Sequence, residues 1–367
     1  MKLCLITPYF NPSMWSTEYG SALSLSRLGH EVTILTSKGR APREIMTKDF
    51  REASDLEIRY LPTIADIGTP IVLGLDIKDC DTVLLQEDYP YICQRAFSIA
   101  SRLGIKTILL YERSTYLESF IRNSIIKILS RTISKSIIYS ANELVAYSSA
   151  AMNFLKNELG VNREIKVIPV GVDINVFKPL ESEGRYLKEG NPKILTVARL
   201  IKRKGLDYLI KSVHLVKEYL PSIKLYIKGK GPEEINLRNL IKNLGLENQV
   251  EFINQILPYY EIPILYGECD IYVQPSVIEP YGIAPLEAMA CGKPVIGAKV
   301  GIMPDAIIHG ETGFLAEPKN VKELASKILE LSDEKKRKKM GKKARKLAVE
   351  KFSLNATGEK FQELLNK

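Results

Sequence analysis

Arg199 and Lys204 flank a turn. The text Val197-Ala198-Arg199-Leu200-Ile201-Lys202-Arg203-Lys204-Gly205 closes an apolar run and opens a helix-forming stretch over residues 206–220. A strand-to-helix turn points backbone N–H groups outward. A guanidinium fork and an ammonium point charge beside them complement a phosphate or diphosphate. An ordinary basic surface turn fits the same residues. Further along, Glu279-Pro280-Tyr281-Gly282-Ile283-Ala284-Pro285-Leu286-Glu287 places two carboxylates around a helix start. Pro285 suits a first helical turn. Gly282 permits close backbone approach, and the amides of Gly282, Ile283 and Ala284 are the unsatisfied donors of that start. Carboxylates accept hydrogen bonds from hydroxyls, so the pair suits a hydroxyl-rich ring. Glu287 could equally stabilise the helix dipole, and Glu279 could be an exposed loop residue. A third segment, Lys228-Gly229-Lys230-Gly231-Pro232-Glu233, also joins a strand to a helix. It lacks the G-x-G-x-x-G spacing of a dinucleotide fingerprint. Backbone approach to a nucleotide and a turn-rich helix entry both fit it.

The elements that must position these residues follow a regular alternation. Apolar runs near residues 2–7, 31–36, 56–61, 81–86, 105–111, 143–148 and 165–170 read as strands, with helical segments such as 17–28 and 117–141 between them. Several runs are continuously apolar, as in strands buried on both faces of a parallel sheet. Residues 171–192 break the pattern and read as a linker. A second set of strands follows near 193–198, 223–228, 250–253, 270–274, 294–298 and 313–316. The expectation is two doubly wound α/β domains in tandem, each binding its ligand at the C-terminal ends of its strands, with an active-site cleft between them.

Composition narrows the classes further. The 367 residues suit two domains. No apolar run reaches the ~20 residues of a membrane-spanning helix, and the N-terminus reads as a first strand rather than a signal peptide. A cytoplasmic protein is expected. Cys4, Cys80, Cys93, Cys269 and Cys291 form no C-x-x-C pair. Buried free thiols are expected, with neither a disulfide framework nor a zinc site. The net charge of +9 lies mostly in the second half, where residues 335–346 hold nine basic residues and no acidic one. That run fits a solvated helix surface or contact with anionic lipid headgroups. The absence of interleaved aromatics argues against nucleic acid. In residues 117–141, Leu117, Ile121, Ile125, Leu129, Ile133 and Ile137 recur at four-residue intervals beside Lys127, Arg131 and Lys135. This describes a helix covering the sheet, or a basic amphipathic helix resting on a membrane.

Taken together, in this order and spacing, the three motifs resemble the retaining glycosyltransferases of family 4, the glycosyl transferases group 1, which have the GT-B fold. The resemblance spans nearly the whole chain and is strongest from about residue 190 to 330. Glu279 and Glu287 match the family's two glutamates separated by seven residues. The resemblance implies two Rossmann-like doubly wound parallel-sheet domains facing a central cleft. The N-terminal acceptor-binding domain would span residues 1–172 and the donor-binding domain 173–351, with a C-terminal helix over 352–367 crossing back onto the first. It implies transfer of a hexose from a nucleotide-diphosphate sugar to a glycan or lipid-linked acceptor, with retention, without a metal and without a cofactor beyond the donor. Contact with the cytoplasmic face of a membrane is compatible with it. Arg199 and Lys204 would hold the diphosphate and stabilise the departing charge. Glu279 would bind sugar hydroxyls near the reacting carbon and Glu287 the ribose. Gly282, Ile283, Ala284 and Leu286 would complete the donor site, with Gly229, Gly231 and Ile256 near the base. His30, His214 and His309 read as structural, so no histidine base is required.

The first half departs from the family. The loop after the first strand reads Asn11-Pro12-Ser13-Met14-Trp15-Ser16, without the Gly-Gly pair many members carry. Trp15 could stack on a sugar face or plug the structure. Arg113 stands where many members have a histidine. Glu112 and Arg113 could contact the acceptor or form an ion pair. Two rivals remain: a sugar-nucleotide epimerase sharing the architecture, for which no acid/base set is evident, and a non-catalytic nucleotide- or sugar-binding scaffold.

Overall fold

A computed structural model describes residues 1–11, 15–38, 56–66, 69–115, 133–182 and 184–366. The chain divides into two compact units. Unit 1 comprises Met1–Val170 and Leu354–Lys367, and unit 2 is Gly171–Ser353.

Unit 1 is built on a seven-stranded parallel sheet. Its strands are β1 (Lys2–Ile6), β2 (Glu31–Ser37), β3 (Glu57–Leu61), β6 (Thr82–Gln86), β7 (Lys106–Tyr111), β8 (Glu143–Ala146) and β9 (Lys166–Val167), in the order β3-β2-β1-β6-β7-β8-β9. Neighbouring strands pair in parallel throughout. The central strands β1, β2, β6 and β7 are buried along almost their whole length. This is why their sequences are apolar runs without alternation. The order reverses between β1 and β6, so the loops after those two strands diverge at a topological switch point. A short antiparallel hairpin of β4 (Thr63–Asp66) and β5 (Pro70–Val72) has no counterpart in the sequence reading. Strands of four and three residues are too short to show a period. Of the helix expected over 117–141, the α-helix Ile133–Ser140 is described, Ala141 lies just past its end, and residues 117–132 lie outside the described residues. Helix Leu354–Leu365 belongs to unit 1. Lys106 Nζ donates to Leu364 O (2.7 Å), Thr357 Oγ1 donates to Pro169 O (2.9 Å), and His30 Nε2 pairs with Gln362 Oε1 (2.7 Å).

The expectation of five free thiols is corrected here. Cys4 and Cys80 form a disulfide, with Cα atoms 6.0 Å apart. Cys4 lies on β1 and Cys80 lies two residues before β6, the adjacent strand. Pairing of the two strands brings together residues that are 76 apart in sequence. Cys93, Cys269 and Cys291 are buried free thiols.

Unit 2 holds a six-stranded parallel sheet. Its strands are β10 (Lys193–Val197), β11 (Lys224–Lys228), β12 (Val250–Ile253), β13 (Ile271–Gln274), β14 (Val295–Ala298) and β15 (Gly313–Ala316), in the order β12-β11-β10-β13-β14-β15. The order reverses between β10 and β13, which makes their C-terminal loops this unit's switch point. Helices Leu206–Val216, Glu234–Asn243 and Val321–Glu330 cover the core of Leu, Ile and Val side chains. The segment 171–192, read as a linker, is instead packed into unit 2. Phe177 and Leu187 are buried. The buried Glu268 carboxylate accepts hydrogen bonds from the Ser182 hydroxyl and the amides of Arg185, Tyr186 and Leu187. The segment lacks regular structure, yet one buried carboxylate satisfies three consecutive backbone donors of it. Among the described residues, no helix is long and apolar enough to cross a membrane.

Candidate functional site

The loops leaving β10 and β13 are stitched to each other. After β10 the chain runs alongside the exit of β11: Ala198 N donates to Lys228 O and Leu200 N to Lys230 O, both at 3.0 Å. The 3-10 turn Lys202–Lys204 follows, ended by Gly205 at φ +64°. The amides of Val277 and Ile278, from the β13 loop, both donate to Arg203 O (2.8 and 3.2 Å). This clasp carries Lys204 to Glu279, and Lys204 Nζ bonds Glu279 Oε2. The Ser276 hydroxyl donates to the same oxygen at 3.0 Å. Glu279 is 5% exposed, so its charge is met by protein donors rather than water. Arg199 is half-buried, and no hydrogen bond or ion pair engages its guanidinium among the described residues. One cation of the pair is therefore held by a carboxylate and the other is not.

Gly282, at φ +96°, turns the chain into helix Ala284–Ala290. The turn is braced by Ile302 N donating to Tyr281 O (2.8 Å). Among the described residues, the amides of Gly282, Ile283 and Ala284 donate no backbone hydrogen bond. Glu287 sits one turn further on, 6% exposed, where it accepts from the Tyr266 hydroxyl at 2.6 Å. Burial pushes its carboxyl up to about 7, opposed by that hydrogen bond. Leu286 is fully buried and its amide is already bonded to Ile283 O. Neither its side chain nor its N–H faces the turn. Gly229 and Gly231 lie against the β10 exit: a Cβ would come within 1.9 Å of Ala198 O at the first and 2.4 Å of Leu200 O at the second. The neighbouring backbone thus demands glycine at both positions. Ile256, in the loop after β12, is 53% exposed.

In unit 1 the switch-point loops carry a buried charge cluster. Glu87, just after β6, takes a left-handed φ of +68°. Its carboxylate accepts the amides of Glu112 and Arg113 at 2.8 and 3.0 Å, tying the exits of β6 and β7 together. Burial pushes this carboxyl up to about 7, with Arg113 opposing and Asp88 adding to the shift. The Arg113 guanidinium turns inward. It donates to Asp88 Oδ1 (3.1 Å) and to the Tyr111 hydroxyl, and it lies against the rings of Tyr89, Tyr111 and Phe154. Of the two readings of Arg113, the structure shows an ion pair, formed with Asp88 rather than Glu112. Glu112 is half-buried and accepts the Thr17 hydroxyl at 2.7 Å. Trp15 packs edge-on against Tyr19, with ring centroids 5.1 Å apart. Among the described residues, no group of three or more His, Cys, Asp or Glu could hold a metal ion. Sequence reading missed Glu87, Asp88, Ser276 and Tyr266. The first two stood in plain text beside a strand end, Ser276 was read only as part of a turn, and Tyr266 gave no signal.

Residues 178–347 match the model of the family of glycosyl transferases group 1. Across the full length the fold is GT-B, two Rossmann-like units. Sucrose-phosphate synthase of Thermosynechococcus elongatus superposes at TM-score 0.79 and 19% identity, over 100% of this chain and 98% of the other. Anabaena HepE, solved in complex with UDP-glucose, superposes at TM-score 0.78 and 22% identity, over 100% and 99%. In sequence, the chain is similar to the GDP-mannose-dependent alpha-(1-6)-phosphatidylinositol monomannoside mannosyltransferase of Mycolicibacterium smegmatis. The two are 27% identical over 251 residues, 65% of each chain. The chain spans about half to two thirds of the length of the curated relatives it matches.

Proposed function

We propose that this protein is a retaining glycosyltransferase that moves a hexose from a nucleotide-diphosphate sugar to a glycan or lipid-linked acceptor. The observation that carries the reading is the clasp of Lys204 and Glu279 beside the uncommitted Arg199, at the switch point of a domain that matches the group 1 family. A diphosphate entering this turn meets the uncommitted Arg199 and competes with Glu279 for Lys204. The sugar's hydroxyls then offer Glu279 the hydrogen bonds it loses. Phosphate charge grows as the glycosidic bond breaks, and two fixed cations stabilise it electrostatically. The leaving phosphate, positioned there, accepts the proton of the attacking hydroxyl. Glu287 takes the ribose hydroxyls, and the amides of Gly282, Ile283 and Ala284 face the sugar and distal phosphate. The solved and curated relatives name both UDP-glucose and GDP-mannose, so both bases are tested. The phosphatidylinositol mannoside acceptor named for one relative favours an acceptor presented at a membrane surface.

A thermal-shift panel with UDP, GDP, ADP and dTDP tests this reading. A nucleotide at about 100 times its Kd stabilises the fold by about 2.7 kcal/mol. One nucleotide should raise Tm, and Arg199→Ala/Lys204→Ala should abolish the rise. Turnover of the matching donor should then depend on acceptor. A shift that survives the double substitution would refute the assigned diphosphate site.

A further inference from the structure

Helix Glu334–Lys351 carries the basic run at the far end of unit 2. Its two arginines turn inward. Arg337 donates to Leu331 O and Ser332 O, and Arg345 to Phe177 O and Ala290 O. Met340, Ala344, Leu347 and Ala348 are buried on the same side. Gly341 lies so close to the chain at Gly292 that a Cβ would meet its carbonyl oxygen at 2.1 Å. The helix is thus anchored along one face. The lysines go the other way: Lys335, Lys338, Lys339, Lys342, Lys343 and Lys346 are all exposed.

At about 100° per residue these six fall within a ~140° arc, over about 17 Å of helix axis. Lys335, Lys339, Lys342 and Lys346 form its central row. Acids flank the row: Glu334 pairs with Lys338, Glu311 with Lys343, and at its C-terminal end Glu350 lies 3.8 Å from Lys346. Lys335, Lys339 and Lys342 have no ion pair among the described residues. Like charges three and four residues apart on a helix destabilise it, and this face repeats that arrangement along its length. A surface selected only for solubility intersperses both signs. A single-sign row on an anchored helix is instead relieved by a surface of opposite charge.

We infer that the lysine face of helix Glu334–Lys351 docks on an anionic lipid surface. Its exposed arc holds no aromatic residue on which a nucleic-acid base could stack, and no apolar residue to insert. Binding is therefore peripheral, reversible and electrostatic. Each lysine near an anionic leaflet contributes about a fivefold gain in partition. The surface is read from charge and exposure alone, and it stands or falls separately from the transferase reading.

The test is vesicle co-sedimentation of the full chain, without donor or acceptor. Phosphatidylcholine vesicles are compared with vesicles containing about one third phosphatidylglycerol. The wild type should pellet only with the anionic vesicles and be released near 0.5–1 M salt, where the Debye length falls toward ~3 Å. Lys335→Glu/Lys339→Glu/Lys342→Glu should weaken partition by well over a hundredfold, while its Tm and nucleotide shift match the wild type. The neutral triple Gln variant should lie between them. Failure of the wild type to bind anionic vesicles would overturn the inference, as would equal binding by the Glu variant. Binding to transfer RNA through the same lysines without vesicle binding would also overturn it, in favour of a nucleic-acid partner.

Discussion

Replacing Gly205 by alanine separates the clasp from the rest of the fold. Gly205 has φ +64°, and a Cβ there would lie 2.3 Å from Pro275 O in the loop that carries Glu279. Gly245 has almost the same backbone, φ +60°, with nothing within 4 Å of a Cβ. A left-handed alanine costs about 1–2 kcal/mol at either position. Only at Gly205 does overpacking add to this, by about 1–3 kcal/mol, because the Pro275 loop must retreat by roughly 1 Å. Gly205→Ala should therefore cost about 2–5 kcal/mol and Gly245→Ala about 1–2. At ~2–4 °C per kcal/mol for a unit of this size, thermal unfolding resolves the two. The retreat would also pull Val277 and Ile278 from Arg203 O and shift Glu279 from Lys204. A displacement of about 1 Å at reacting groups typically costs on the order of a hundredfold. Calorimetric titration of the selected nucleotide and donor turnover should fall for Gly205→Ala and stay near wild type for Gly245→Ala. Equal losses in both variants would show that the loops do not depend on each other.

Two other carboxylates give separable outcomes. Glu287 is raised in the fold, so the native state keeps a proton that the unfolded chain has already lost. Its contribution to stability declines as pH rises from the ordinary carboxylate range to about 7. Ribose hydroxyls need the ionised form, so nucleotide Kd should fall by up to about tenfold per unit between roughly pH 6 and 7. Glu287→Gln should flatten that profile, and an unchanged profile would remove Glu287 from the ribose. Glu268 behaves in the opposite sense. Burial opposes its ionisation, but hydrogen bonds from Ser182 and three backbone amides outweigh that and hold the carboxyl below its ordinary value. Its contribution is present above the unfolded pKa and is lost as pH falls through the folded one. Glu268→Ala should cost about 3–5 kcal/mol by stranding buried donors. A denaturant midpoint shift under ~1 kcal/mol would mean that segment 182–187 is held by other contacts.

The parallel strands were legible because burial on both faces writes an apolar run into the chain, as in Leu3 to Ile6 and Thr82 to Leu85. The residues of the β10 and β13 loops were legible as types at a spacing. Their pairing was not: Lys204 and Glu279 meet because two amides 75 or so residues downstream find Arg203 O. Nothing local in either motif encodes that. Arg113 illustrates the same limit in unit 1. The rings that enclose it come from three separate elements, at Tyr89, Tyr111 and Phe154, and only the folded sheet brings them together. The packed segment 171–192 misled because its polar, Gly- and Pro-containing text is what a free linker also looks like. The difference lies in distant partners, Glu268 foremost among them.

Unit 1 is written in two pieces, with the whole of unit 2 between them. During synthesis its sheet emerges first but lacks helix Leu354–Leu365. At about 5–20 residues per second, the wait for that helix is on the order of ten to forty seconds. Through that interval the groove beside Ser24 and Leu28, which Gly358 later fills, stays bare to solvent or a chaperone. The unit begun first is therefore completed last. A released chain truncated just before Leu354 should hold a folded unit 2 and a protease-sensitive unit 1.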